Sequence, residues 1–305
     1  MKKVLFVGEI NVDVMMGGMP TPPIVDREVP ATSWDVVMGG STMLSACAYA
    51  SLGGDVTFAG LAGKDDYGDF MLRGMSEYGL KTDLVRRSTE VRTGVTVNMI
   101  SGNTRTQATY PGTIEEYDGA DLDEHSLAGF DHVHFAGLYL ETKLRPHMTR
   151  ILRTAQRLGV TTSIDPQWDS SEKWEYMDEW LPLLTYLFVN EDEAVSITKA
   201  QNPEKALVAL AARTKLPLVK LGKEGALVLV EGKITHVKGK VVKPVDTTGA
   251  GDSFDAGFLY ATIEKGMPLL EAVRFANATA ARSCLFTGGV AARSSYDDVV
   301  AFMKG

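Results

Sequence analysis

Short apolar runs recur along the chain at Val4–Val7, Thr57–Leu61, His132–Ala136, Thr161–Ile164, Tyr186–Val189, Leu218–Leu221 and Ala226–Val230. Runs of this length, closed by Gly, Asp or Asn, predict strands buried on both faces. Between several of them the apolar spacing turns helical: Thr42–Leu52, Gly68–Tyr78, Arg145–Leu158, Glu191–Thr198 and Pro203–Thr214. Strand and helix in alternation predict an α/β fold, a mainly parallel sheet covered by helices on both faces. Ligands of such sheets bind beyond the carboxyl ends of the strands. Gly8, Gly60, Asp165, Asn190 and Gly222 fall at or just after predicted strand ends, so they are expected to line the site.

Two segments break the rhythm. Val12–Met38 carries Pro20, Pro22, Pro23 and Pro30 and then an alternating stretch at Thr32–Val37. Thr93–Tyr110 alternates at Val95, Val97 and Met99, turns at Ser101-Gly102-Asn103 and continues through Thr104–Thr109, a hairpin pattern. Both are expected to form a small β layer outside the main sheet, serving as a lid, a dimer contact or both. The chain reads as one domain, 1–305, with lid segments at roughly 12–38 and 93–112 inserted.

Composition narrows the class. The chain has 305 residues, 45% hydrophobic and 23% charged, as in a globular protein. A formal charge of −8 argues against a general nucleic-acid or acidic-membrane surface. No apolar run is long enough to span a bilayer, and the run at Val4–Val7 is too short for a signal peptide. Cys47 and Cys284 lie far apart in Ala-rich surroundings and are expected to be buried free thiols. A cytoplasmic location follows. His132 and His134 share one face of a predicted strand without a third ligand and read as structural.

The chemistry concentrates in Asp246–Phe258, where a glycine-rich turn runs straight into a helix-forming segment. Gly249, Ala250 and Gly251 let backbone N–H groups converge at a helix N-terminus, which suits a phosphate. Asp252 beside such an anion hole makes sense as a base acting on a nucleophile that attacks the phosphate. Taken locally, the same residues also make an ordinary turn and cap. Gly249-Ala250-Gly251 lacks the third glycine of a dinucleotide fingerprint. No P-loop is present, because Gly222-Lys223-Glu224-Gly225 and Gly60–Lys64 have the wrong spacing.

Further motifs follow in order along the chain: Gly8-Glu9-Ile10-Asn11-Val12-Asp13, Gly39-Gly40, Gly60–Gly68, Asn190-Glu191-Asp192-Glu193, Leu221–Ala226 and Asp246–Phe258. As an ordered set they resemble the ribokinase-like (PfkB) family of sugar and nucleoside kinases, over nearly the whole chain. The resemblance implies a three-layer fold with a small β-sheet lid, and ATP and Mg²⁺ as cofactors. It implies Asp252 as general base, with Gly249, Ala250 and Gly251 at the transferring phosphoryl group. Asp13 and Asn11, with Gly39, Gly40, Leu44 and Trp168, would meet the sugar. Asn190, Lys220, Gly222, Gly225 and Asn277 would lie along the nucleotide. Glu193 would organise Mg²⁺ through water, and Asp246 with the Ser283–Gly289 loop would hold a monovalent cation such as K⁺. A homodimer through the lid is also implied.

Departures from the family pattern bear on the acceptor. Ser41 and Leu44 stand where ribokinases have Lys and a sugar-binding Asn, giving the pocket a more apolar edge. Asp165-Pro166-Gln167-Trp168 resembles the D-P-N-x-R region of fructokinase-like members, with the Arg missing. Trp168 would stack on a sugar face or pack in the core. Arg105, past the hairpin turn, would bind a phosphate already on the acceptor or face solvent. The expected activity is transfer of the ATP γ-phosphate to a hydroxymethyl group of a small sugar or sugar derivative. The alternatives are a nucleoside kinase on the same fold and a non-catalytic sugar-binding sensor.

Overall fold

The computed structural model describes residues 1–102, 104–289 and 292–304, so Asn103 of the predicted turn lies outside the described residues. The main sheet has nine strands in the order β13-β12-β11-β10-β9-β8-β1-β4-β5. They are β1 Lys3–Val7, β4 Asp55–Gly63, β5 Lys81–Ser88, β8 His132–Ala136, β9 Thr161–Asp165, β10 Tyr186–Asn190, β11 Leu216–Lys220, β12 Gly225–Val230 and β13 Lys233–Lys238. Pairing is parallel from β5 through β11 and antiparallel at β11–β12 and β12–β13.

The apolar runs are explained by burial on two faces. In β1, Val4 and Phe6 enter one core, and Leu5 and Val7 the other. The first core packs beneath the helices Ser41–Ser51, Ala250–Leu259 and Leu269–Ser283, the second beneath Met148–Arg157, Glu191–Thr198 and Pro203–Ala211. The expected helix at Arg145–Leu158 begins as a tight turn at Arg145–His147, where Pro146 sits at the entry. His132 and His134 are fully buried and both bond the Ser163 hydroxyl at 2.7 Å, which makes them core residues.

The second sheet has the order β3-β2-β6-β7, formed by β2 Asn11–Gly17, β3 Ser33–Gly39, β6 Gly94–Ser101 and β7 Thr104–Tyr110. β2 leaves the end of β1 after only Gly8, Glu9 and Ile10, so the second sheet stands directly over the carboxyl ends of the first. In the main sheet the chain runs from β1 outward through β4 to β5, then restarts on the other side of β1 at β8. The crevice of such a sheet opens at this reversal.

Candidate active site

A cavity of about 600 Å³ occupies that crevice. The strands deliver its floor: Glu9 follows β1, Asp165 ends β9, Asn190 ends β10 and Lys220 ends β11. The second sheet supplies one wall, including Asn11, Asp13 and Arg105. The turn at Thr247–Asp252 closes the opposite side.

Gly249 has φ +71 at the start of the Ala250–Leu259 helix, and no side chain caps that helix. A Cβ on Gly249 would lie 2.9 Å from Gly289 Cα, so both its torsion and its surroundings demand glycine. Ala250 N–H donates to the Thr247 carbonyl at 3.2 Å, so the Gly249 and Gly251 N–H groups are the ones left to open on the cavity as an anion cradle. Asp252 is buried in the first turn, and its Oδ1 has no hydrogen-bond partner among the described residues. Burial, reinforced by the charge of Asp165, pushes its carboxyl well above the usual carboxylate range.

Lys220 lies beside this cradle, since a Cβ on Gly251 would sit 3.3 Å from its Nζ. The ammonium donates to Asp165 Oδ2 at 2.6 Å and reaches Asp255 Oδ1 at 3.3 Å. Burial lowers the Lys220 pKa, but the charges of Asp165 and Asp255 outweigh it and keep the residue cationic. Burial works against ionisation of both acids. Lys220 nevertheless holds Asp165 low, whereas burial and the neighbouring Asp165 charge push Asp255 up. The closest ion pair of the cluster thus sets the Lys220 cation against the Asp165 carboxylate.

The wall from the second sheet is a hydrogen-bonded network. Asn11 Nδ2 donates to Asp13 Oδ1 at 2.9 Å and to Thr96 Oγ1 at 3.1 Å, and Thr96 meets Thr109 at 3.0 Å. Gly39 pairs across β3 with Asn11, and a Cβ there would lie 2.5 Å from the Asp13 carboxyl carbon. The glycine is thus what lets Asp13 occupy its place. Gly40 (φ +91) and Gly137 (φ +69) box in Glu9 in the same way, and Ser41 N–H donates to Glu9 Oε1 at 2.6 Å. Burial raises the Glu9 carboxyl to about 7. Sequence reasoning passed over Glu9 as a site residue. Its position directly after the first strand, in the crevice where strand order reverses, was the available signal. Leu44 also lines the cavity, as expected.

Asn190 and Glu193 form a reciprocal helix cap, each side chain accepting from the other's N–H at 2.9 Å. Both line the cavity, as does Gly222. Glu193 bonds through Oε2, which leaves Oε1 available, and burial with the nearby Asp165 charge raises its carboxyl to about 7. A single free carboxylate oxygen lining a polar cavity fits Mg²⁺, which keeps most of its waters.

Three expected residues, Trp168, Asn277 and Gly225, do not line this cavity, whereas Asp246 lies against Thr248 and the Ser283–Gly289 loop as expected. Trp168 is 46% exposed and faces an adjoining cleft, which shares Asn190 with the main cavity. Gln167, at φ +59, turns the chain so that Gln167 lines the cavity while Trp168 packs edge-on against Trp174. Asn277 is buried and donates to the Val237 and Lys238 carbonyls at 3.0 and 3.2 Å, bracing β13. Gly225 serves the same hairpin, because a Cβ there would lie 2.1 Å from Val237 O. Asp246 accepts from Thr248 N at 2.9 Å and Gly288 N at 2.9 Å, tying two loops together.

A glycine-built helix start beside a buried carboxylate, with a polar wall across an α/β crevice, suits phosphoryl transfer. The chain belongs to the pfkB family of carbohydrate kinases, whose profile matches residues 1–294. It is 31% identical over 309 residues to an ATP-dependent ribose-1-phosphate kinase of Halopiger xanaduensis, covering all of this chain and 99% of that protein. It is 26% identical over 305 residues to a ribokinase of Bacillus subtilis, covering 98% of this chain and 100% of the relative. Its fold matches a ribokinase of Arabidopsis thaliana complexed with ribose and ATP, with a TM-score of 0.85 at 23% identity, covering 100% of this chain and 99% of that one. The architecture is thus the ribokinase-like α/β fold.

Proposed function

We propose that this sugar kinase uses ATP to phosphorylate a hydroxymethyl group of a small sugar or sugar derivative, with Asp252 as the general base. The observation that carries the reading is the buried, unpartnered Asp252 Oδ1 beside the uncapped Gly249–Gly251 cradle. ATP with Mg²⁺ supplies the γ-phosphoryl group and neutralises part of its charge. Gly222 would adjoin the nucleotide, the Gly249 and Gly251 N–H groups would receive the developing charge, and Glu193 Oε1 would anchor the ion's waters. Asp13, oriented by Asn11, would accept from acceptor hydroxyls, and Asp252 would take the proton of the attacking one. The second sheet would act as a lid that keeps out competing water.

An ADP-release assay over neutral pentoses, hexoses and nucleosides, sugar phosphates and keto-sugar acids tests the reading. Turnover with at least one sugar is expected; tight sugar binding without turnover on any acceptor would favour the sensor. A nucleoside acceptor is the second reading, favoured by a further compartment of about 740 Å³ that opens past Leu44 and Met38. Cys47 and Cys284 are free and buried, which supports a cytoplasmic location. No helix among the described residues is long and apolar enough to cross a membrane. The proposal includes a homodimer through the second sheet, where Trp34 and Tyr110 stand exposed. Light scattering is expected to give twice the chain mass, and a monomer at assay concentration removes this part. A K⁺ requirement has weaker support, since Asp246 is already engaged by Thr248 and Gly288.

A further inference from the structure

Arg105, on β7, lines both the main cavity and the 740 Å³ compartment beside it. The two spaces also share Asp13, Leu44 and Thr248, so they adjoin beside the second sheet. The main cavity's other cation, Lys220, is committed to Asp165 and Asp255, and the adjoining compartment contains no lysine. Arg105, whose charge also acts on Asp13 and Asp246, is thus the one cation without an ion pair among the described residues lining either space.

Its guanidinium is fixed in place. Nε donates to Asn98 Oδ1 at 2.8 Å, and Nη2 donates to the same oxygen. Gln107 Nε2 adds a third bond to that oxygen at 2.9 Å. Asn98 is fully buried, so an exposed arginine is held from a rigid point in the sheet. Only the Nε–Nη2 edge is used. Nη1 makes no hydrogen bond, and Arg105 forms no ion pair among the described residues. A pinned guanidinium with its second fork open matches the two oxygens of a carboxylate or phosphate. The surrounding acids make this informative. Glu9, Asp13, Asp165 and Asp252 line the main cavity, and without a cation they would repel an anionic acceptor.

We propose that the acceptor carries an anionic group, a phosphate monoester or a carboxylate, and that Arg105 holds it at the junction of the two compartments. The proposal rests on the sugar-kinase reading and names the substrate class within it. The reacting hydroxyl lies at Asp252, and the anion projects away from it under the second sheet. Asn98 is a positioning residue, acting through Arg105.

The test is a matched panel on the whole enzyme with ATP and Mg²⁺: ribose against ribose 1-phosphate, fructose against its monophosphates, and a keto-sugar acid as the carboxylate arm. The wild type is expected to show a lower KM for an anionic member than for its neutral counterpart. Arg105→Met is expected to raise that KM about 10–100-fold, the loss of one charge-assisted contact, and to raise the neutral sugar's KM by a much smaller factor. Arg105→Lys should restore part of the loss, because it keeps the charge without the fork. The arm that responds identifies phosphate or carboxylate. If Arg105 only balances Asp13 and Asp246, neutral and anionic acceptors lose equally in Arg105→Met, and the proposal is overturned. Turnover of neutral acceptors alone also overturns it while the kinase reading stands. No ADP release with any acceptor overturns both.

Discussion

Asp252→Asn is expected to lower kcat by about 10²–10⁴-fold, the range for loss of a general base, while nucleotide binding is retained. The amide fills the same space at the same place in the first helical turn, so the cradle at Gly249–Gly251 keeps its shape. What is lost is the ability to take up a proton. Asp252 suits that task because burial and the Asp165 charge raise its proton affinity well above that of an ordinary carboxylate. The same shift fixes the sign of the pH dependence. A base works only when ionised, so kcat/KM should fall as pH drops through the raised pKa, and the acid limb of the profile should lie above the usual carboxylate range. ADP release measured across pH for wild type and mutant, with nucleotide affinity measured separately, checks both statements. A mutant that turns over near the wild-type rate with an unchanged profile would remove Asp252 from the chemistry.

The parts of this molecule that could be read from sequence are those where one physical requirement dominates. The parallel strands from β1 to β11 lie between two cores, so their residues are apolar without alternation, and most of those strands were placed within a few residues. β5 (KTDLVRRS) and β13 (KITHVK) are sheet edges, polar along much of their length, and nothing in their local pattern separates them from loops. The Gly249–Asp252 turn was legible because a positive φ and a close approach leave glycine as the residue that fits. Of the two readings of Trp168, packing against Trp174 is the one observed, and the left-handed Gln167 that lines the cavity in its stead cannot be foreseen from residue type. Asn277 was assigned to the nucleotide by resemblance. Its actual partners are carbonyls of β13, an element the sequence pattern does not reveal. Glu9 needed Gly40 and Gly137 to be seen together, and they are brought together only by the strand order.

Lys220→Met is expected to be the most destabilising single change near the site. The Lys220 ammonium is the cation that offsets Asp165, which is 1% exposed and ionised, and it also contacts the fully buried Asp255. Removing one partner of a buried pair leaves the other charge uncompensated, a loss of about 3–5 kcal/mol. At roughly 2–4 °C per kcal/mol for chains somewhat smaller than this one, thermal unfolding should begin on the order of 10 °C lower. Adding Asp165→Asn to the mutant removes the stranded charge and should recover a large part of the stability, a coupling that a double-mutant cycle measures directly. Rate should not recover with it. Lys220 Nζ lies next to Gly251, where the transferring phosphoryl group is proposed to sit, so the stabilised double mutant still lacks a positive charge at the cradle. Recovery of stability without recovery of kcat would separate the two roles of this lysine. A Lys220→Met protein as stable as the wild type would mean that Asp165 is not held ionised by Lys220, and the charge balance argued for this cluster would fail.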